Sequence, residues 1–183
     1  MVSVPVPLFT RLWLPPLAGG TGAGVVLMHG WGGNGATLWP AARALHAAGF
    51  AVLLPDARSH GHSDADTFSS LPRFAEDTAS ALHWLSCQPG VDARRLALLG
   101  HSVGAAAALL CASGRLASSP AEHHADWPPD SPTLAAVVSV SAFAHPEQVM
   151  RRWLTSRHIP YWPLGWAVNR YVEHVIGHRF NRI

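Results

Sequence analysis

The sequence predicts an α/β fold: a mostly parallel, doubly wound sheet with helices on both faces. Two observations carry this. Four short apolar runs rich in β-formers alternate with stretches of helical periodicity, and three of those runs end abruptly in Gly, His, Asp or Ser. Parallel strands buried on both faces read as unbroken apolar runs, and chemistry in such sheets gathers beyond the carboxyl ends of the strands.

The elements follow in order. Residues 2–14 are apolar but broken by Pro5 and Pro7, which allows one edge strand at most. Residues 15–24 form a Gly/Pro loop. Val25–His29 is the first buried strand, ended by Gly30. Residues 37–48 read as a helix stopped by Gly49, and residues 50–55 as a second strand ending at Asp56. A polar, turn-rich stretch fills 57–70. A helix over 71–88 places Leu71, Phe74, Leu82 and Leu85 near one face, and Gln88-Pro89-Gly90 ends it. Residues 95–99 are a third strand, 103–117 a helix of small residues, 118–133 a Ser/Pro/His/Asp loop, and 134–140 a fourth strand. Residues 146–183 are amphipathic, helical and rich in aromatics: Trp153, Tyr161, Trp162, Trp166, Tyr171 and Phe180. The expected organisation is a core over 1–145 and a helical cap segment over 146–183.

Composition narrows the function classes. The chain has 183 residues, 49% of them hydrophobic and only 13% charged, which fits one domain with a sizeable core. A net charge of +2 is too small to argue for nucleic acid. All the basic residues are arginine, and six of them follow residue 150, where a solvated helix face accounts for them. No stretch approaches the ~18 apolar residues of a membrane span, and the N-terminus lacks a basic segment ahead of an apolar one. Cys87 and Cys111 show no metal spacing and read as small core residues in a reducing compartment, so a cytoplasmic location is expected. The composition leaves the oligomeric state open.

The third strand runs into Gly100-His101-Ser102-Val103-Gly104, a G-x-S-x-G pattern. Between a buried strand and a helix, this pattern forms a sharp turn that strains the serine backbone and lifts its hydroxyl clear of the sheet. The flanking glycines are needed because a Cβ at either would meet neighbouring backbone. Ala105, Ala106 and Ala107 let the helix approach closely, and its N-terminus offers partial positive charge to an oxyanion. Ser102 is therefore the candidate nucleophile. The first strand ends in His29-Gly30-Trp31-Gly32-Gly33-Asn34, a loop able to curl over a pocket. Acyl transfer needs two backbone N–H groups at the developing O⁻, and Val103 and Trp31 are the expected donors, with His29, Gly30, Gly32, Gly100 and Gly104 as supporting loop residues.

With Asp56-Ala57-Arg58-Ser59-His60-Gly61-His62-Ser63 at the second strand's end, these segments resemble the α/β-hydrolase superfamily. There an HG-x-x-G loop, a D-x-R-G-x-G-x-S stretch and G-x-S-x-G occur in this order. The resemblance covers about residues 25–145 and is nearest to the bacterial serine aminopeptidase and monoacylglycerol lipase group. It implies a serine hydrolase acting on esters, amides or thioesters of small molecules, without cofactor or metal. It also implies that Asp56 and Arg58 are structural. Ser59 departs from the family pattern, which has Gly there. The family order places an acid and then a histidine after later strands. No further strand follows residue 144, so the expectation is an incomplete, C-terminally truncated fold whose acid and base lie beyond this chain.

Three rivals remain. Gly30–Gly35 is also a literal G-x-G-x-x-G, with Asp56 at ribose-binding spacing and Arg58 nearby, which would suit a dinucleotide-dependent oxidoreductase. Against it stand bulky Trp31 in the turn and an unexplained GHSVG. A self-contained triad could use Glu147 with His158, His174 or His178. A catalytically silent interaction domain would keep the fold without turnover. His60-x-His62-x-Asp64 mimics a metal-ligand spacing, but Ala65 stands where a further histidine belongs, and His123 and His124 sit in a Pro-rich loop.

Overall fold

The structure, a computed structural model, describes residues 6–16, 21–113, 134–143 and 145–176. Its strands are β1 (Thr10–Trp13), β2 (Gly22–Met28), β3 (Ala51–Pro55), β4 (Val91–His101) and β5 (Leu134–Val140). Its α-helices are α1 (Trp39–Ala47), α2 (Leu71–Ser86), α3 (Val103–Ala112), α4 (Pro146–Ser156) and α5 (Trp166–Ile176). The chain divides into two compact units, Met1–Ala142 and Phe143–Ile183.

The first unit holds one sheet in the order β1-β3-β2-β4-β5. Strands β2 to β5 run parallel, and β1 adds antiparallel at the edge beside β3. This is the mostly parallel sheet that the sequence predicts. Both faces are covered near its middle. On one face, Val26, Leu53, Leu96 and Leu98 pack with Leu82 and Leu85 of α2 and Ala108 and Cys111 of α3. On the other, Val25, Leu27, Val52 and Leu54 pack with Ala42 and Leu45 of α1. That two-sided burial is why β3 is apolar at every position.

Local chemistry sets the ends. Ser70 caps α2 by accepting the Arg73 N–H, and Pro72 fits the first turn, where no N–H is needed. Gly49, at φ 90°, stops α1 and donates to the His46 carbonyl. The helix expected from residue 37 starts as a 3₁₀ turn at Gly35–Leu38 and becomes α-helical at Trp39, with Pro40 in its first turn. Strand β2 begins in the stretch read as a loop. Gly24 lies there so tightly that a Cβ would come within 2.8 Å of Leu96.

In the second unit, α4 and α5 flank an irregular turn, Tyr161–Gly165, with a cis Trp162–Pro163 bond. Asn169 is buried and donates to the Tyr161 hydroxyl, which donates to Glu147. Trp153, Trp162, Trp166 and Tyr171 are exposed. Phe180 and the loop over 118–133 lie outside the described residues. Among the described residues, no helix is long and apolar enough to cross a membrane. Cys111 is buried in the core, and burial pushes its thiol up to about 12; Cys87 is exposed, contrary to the core position expected of it.

Candidate active site

Register fixes what meets at the carboxyl edge of the sheet. Met28 of β2 lies opposite Gly100 of β4, so two residues further on Gly30 comes beside Ser102. A Cβ on Gly30 would stand 3.2 Å from the Ser102 Cβ. Glycine is what lets this loop touch the serine.

Ser102 sits at the junction of β4 and α3 with φ 56° and ψ −119°. A positive φ is unfavourable for a residue with a Cβ, and here it persists because the surroundings fix it. The Ser102 N–H donates to the Val140 carbonyl of β5 at 2.9 Å, and its own carbonyl accepts from Ala105 and Ala106. A Cβ on Gly100 would fall 2.2 Å from the Gly104 carbonyl oxygen, and one on Gly104 would fall 2.3 Å from the Met28 carbonyl oxygen. Both distances are inside any real contact, so the two glycines of the motif are steric requirements. Ala105 and Ala107 are fully buried, which lets α3 lie close to the sheet. The Ser102 side chain is half-buried and makes no capping bond to its helix. Val103, buried at the first position of α3, carries one of the amides that a helix start leaves without an intrahelical partner.

The loop after β2 is tightly built. Gly33 N–H donates to the Gly30 carbonyl, and Gly32 takes φ 70° within that turn. Asn34 accepts the Ala36 N–H at its side chain and the Thr37 hydroxyl at its carbonyl. Trp31 stands at the crest, 62% exposed, with its indole stacked on Phe74 and meeting His60 edge-on. Among the residues expected at the site, the structure brings Gly30, Gly100, Ser102 and Gly104 into one pinch. His29 acts from beneath and is wholly buried.

His29 ties two strand ends together. Its Nδ1–H donates to the Gly30 carbonyl at 2.7 Å, and its Nε2 accepts the Ala57 N–H at 2.9 Å. Both partners fit only the neutral ring, and burial lowers its pKa below the ordinary 6.5. Asp56, also wholly buried, accepts the Gly35 N–H at 2.7 Å and the His62 N–H at 3.0 Å and faces Arg11 at 3.4 Å. Burial alone would raise its pKa, but these donors outweigh it and hold the carboxyl below the usual range. Gly61, at φ 55°, closes against it, since a Cβ there would come 2.1 Å from the carboxylate. Arg58 is clamped by Asp77 through Nε at 2.8 Å and Nη2 at 2.7 Å, and by Glu76 at 3.0 Å. Asp56 and Arg58 are thus spent inside the protein, and Asp56 is not open to a ribose. Ser59 takes φ 60°, which explains why the related motif favours Gly there. The parts that Asp77, Phe74 and His60 play at the site escape a reading of the sequence; they depend on contacts many residues apart, and no short pattern marks them.

A solvent-open concavity of about 460 Å³ lies between the Trp31 loop and residues 59–69. It starts at Trp31 and does not include Ser102 itself, so it adjoins the serine rather than enclosing it. Among the described residues, no His, Cys, Asp and Glu side chains gather in threes as metal ligands. Glu147 accepts from Arg151 and Tyr161, not from a histidine, and these bonds, Arg151's foremost, lower its pKa. The triad with His158 or His174 therefore has no hydrogen-bonded acid, and His178 lies outside the described residues.

Residues 20–175 match the family model described as Hydrolase_4, serine aminopeptidase S33. The chain belongs to that family. Its members are α/β-hydrolases, as the resemblance implied. An uncharacterized protein of Mycobacterium tuberculosis is 37% identical over 97 residues, covering 53% of this chain and 34% of that protein. A thiohydrolase from Arthrinium phaeospermum is 41% identical over 73 residues, covering 39% of this chain and 24% of its own. The chain thus spans about a third or less of the curated relatives it matches. Among solved structures, Est1E from Butyrivibrio proteoclasticus with ferulic acid bound has a TM-score of 0.62 at 19% identity, over 80% of this chain and 53% of its own. The α/β-hydrolase GrgF from Penicillium sp. has 0.58 at 18%, over 94% and 56%. These likenesses establish the shared fold.

Proposed function

We propose that this family member is the nucleophile-bearing part of a serine hydrolase acting on carboxylic esters of small molecules. Ser102 Oγ attacks the carbonyl carbon while its proton passes to a histidine supplied from outside the described residues, itself oriented by a carboxylate. The carbonyl π-electrons move to oxygen, and the backbone N–H groups of Trp31 and Val103 receive that oxyanion. Losing one such donor typically costs about 10²–10³ in turnover. Collapse expels the alcohol and leaves an acyl-Ser102 ester, which water then hydrolyses. In this reading residues 146–183 are the cap segment. Amides and thioesters are the alternative substrates of the same site. The observation that carries the proposal is the left-handed backbone of Ser102, pinched between two obligatory glycines with Gly30 against it.

A fluorophosphonate probe tests it. Together with the flanking sequence that supplies the base, the chain should be labelled at one site, and Ser102→Ala should abolish labelling. A chain that stays unlabelled, alone and with its natural flanking sequence, would leave an interaction domain that keeps the fold without turnover.

A further inference from the structure

The concavity beside Trp31 has features of its own. Two aromatic side chains line it, and each is held from behind. The Trp31 indole stacks on Phe74 with rings inclined by 23° and centroids 6.0 Å apart. The Phe68 ring carries the Arg73 guanidinium 3.7 Å from its centroid. Both rings are therefore preset and need no ordering when a ligand arrives. His60 also lines the space, edge-on to Trp31 and to Phe74. Its Nδ1–H donates to the Arg58 carbonyl at 2.9 Å, which leaves Nε2 as an acceptor with no partner among the described residues. The lining carboxylate, Asp66, is bound by Arg73, accepts the Thr67 N–H, and faces Arg58 at 3.4 Å. The space thus offers two aromatic surfaces and, in that tautomer, a ring-nitrogen acceptor. It offers no uncommitted carboxylate for an ammonium group, as an aminoacyl substrate would need. Its volume of about 460 Å³ lies within the usual range for small ligands, about 300–1,000 Å³.

We infer that this concavity is an aryl subsite: it takes the aromatic ring of an ester between Trp31 and Phe68, and a ring hydroxyl donates to His60 Nε2. The inference deepens the hydrolase reading and rests on it. The link to chemistry is short, because Trp31 follows Gly30, which touches Ser102. Aromatic pairs contribute about 0.5–1.5 kcal/mol beyond buried area, so ring preference should approach tenfold.

The test measures binding without turnover, in the full chain carrying Ser102→Ala. The ligands are methyl 4-hydroxybenzoate, methyl benzoate and methyl cyclohexanecarboxylate; 4-hydroxyphenyl acetate places the same ring on the alcohol side. Methyl 4-hydroxybenzoate or 4-hydroxyphenyl acetate should bind about tenfold tighter than the cyclohexyl ester, and whichever wins assigns the ring to the acyl or the leaving group. Adding Trp31→Leu should erase the preference. Adding His60→Phe should bring the hydroxylated ester down to methyl benzoate and leave the ring preference intact. Equal binding of aryl and cyclohexyl esters overturns the inference, as does a preference that survives Trp31→Leu. Fluorophosphonate labelling of the unsubstituted chain, joined to the flanking sequence that supplies the base, is read separately. Labelling without aryl preference sinks the subsite alone. Aryl binding without labelling sinks the hydrolase reading and leaves the slot a binding site.

Discussion

Deleting the Ser102 hydroxyl in two ways separates backbone strain from side-chain loss. Ser102→Ala and Ser102→Gly both remove Oγ, which makes no capping bond to α3. Only glycine is at ease at φ 56° and ψ −119°. A residue with a Cβ held in such a sparsely populated region costs about 1–3 kcal/mol. Glycine returns about 0.4–1 kcal/mol of that through its freer unfolded chain. The net expectation is that Ser102→Gly is more stable than Ser102→Ala by about 0.5–2 kcal/mol. For a chain of this size each kcal/mol moves Tm by about 2–4 °C. Thermal unfolding of the two variants should therefore show glycine melting roughly 1–8 °C higher, while neither is labelled by a fluorophosphonate. If glycine melts at or below alanine, the junction is relaxed, and the argument that the fold strains this residue to present its hydroxyl fails.

The other predictions concern the supports. Gly104→Ala should lower Tm by roughly 6 °C or more and slow labelling of Ser102, because its Cβ meets two backbone oxygens, of Met28 and His29, that cannot move without shifting β2. Gly61→Ala should lower Tm similarly, since it adds a positive-φ penalty to a clash with the buried Asp56 carboxylate, but it leaves the serine pinch untouched. His29 has a folded pKa below its unfolded 6.5, so the stability it confers is complete above that value and is lost as pH falls through the folded pKa. Unfolding followed from pH 7.5 to 5 should show Tm falling, and His29→Gln should flatten that slope. An unchanged slope would mean that His29 is not held neutral.

The parts of this site legible in the sequence are those governed by local sterics. G-x-S-x-G could be read because its glycines answer to contacts a few residues away, and Gly100 meets Gly104 as the pattern requires. The fourth strand was legible over its full length for the same local reason, an apolar run in which Ser139 is the one polar residue. Strand β4 was not. It starts at Val91, but Asp92, Arg94 and Arg95 interrupt the apolar pattern, and the strand pairs with β2 at Val91 and again from Leu96, with a register shift between. The Arg58–Asp77 clamp joins residues 19 apart, and the bed of Phe74 beneath Trp31 joins residues further apart still. Nothing local announces either one. The departure at Ser59 reads in the sequence as a matter of loop shape, and in the structure its hydroxyl also accepts the Asp66 N–H at 3.0 Å, a bond glycine could not make.

These long-range ties explain how a loop of glycines can hold an amide in place. A glycine-rich turn is easily deformed, whereas an oxyanion donor must hold its position to about 0.5 Å. The loop after β2 gains its stiffness from below. His29 fastens its start to Ala57, and Asp56 fastens its far end at Gly35. Arg58, the next residue after Ala57, is bolted to α2 through Asp77. The ends of β2 and β3 are thus joined through buried groups whose hydrogen bonds are made. Leaving one unmade would cost about 1–3 kcal/mol, so the network resists partial opening. The loop proposed to carry the oxyanion donor at Trp31 is thereby held from below at both ends. The glycines provide the close approach to Ser102, and the buried histidine and aspartate provide the rigidity that glycine lacks.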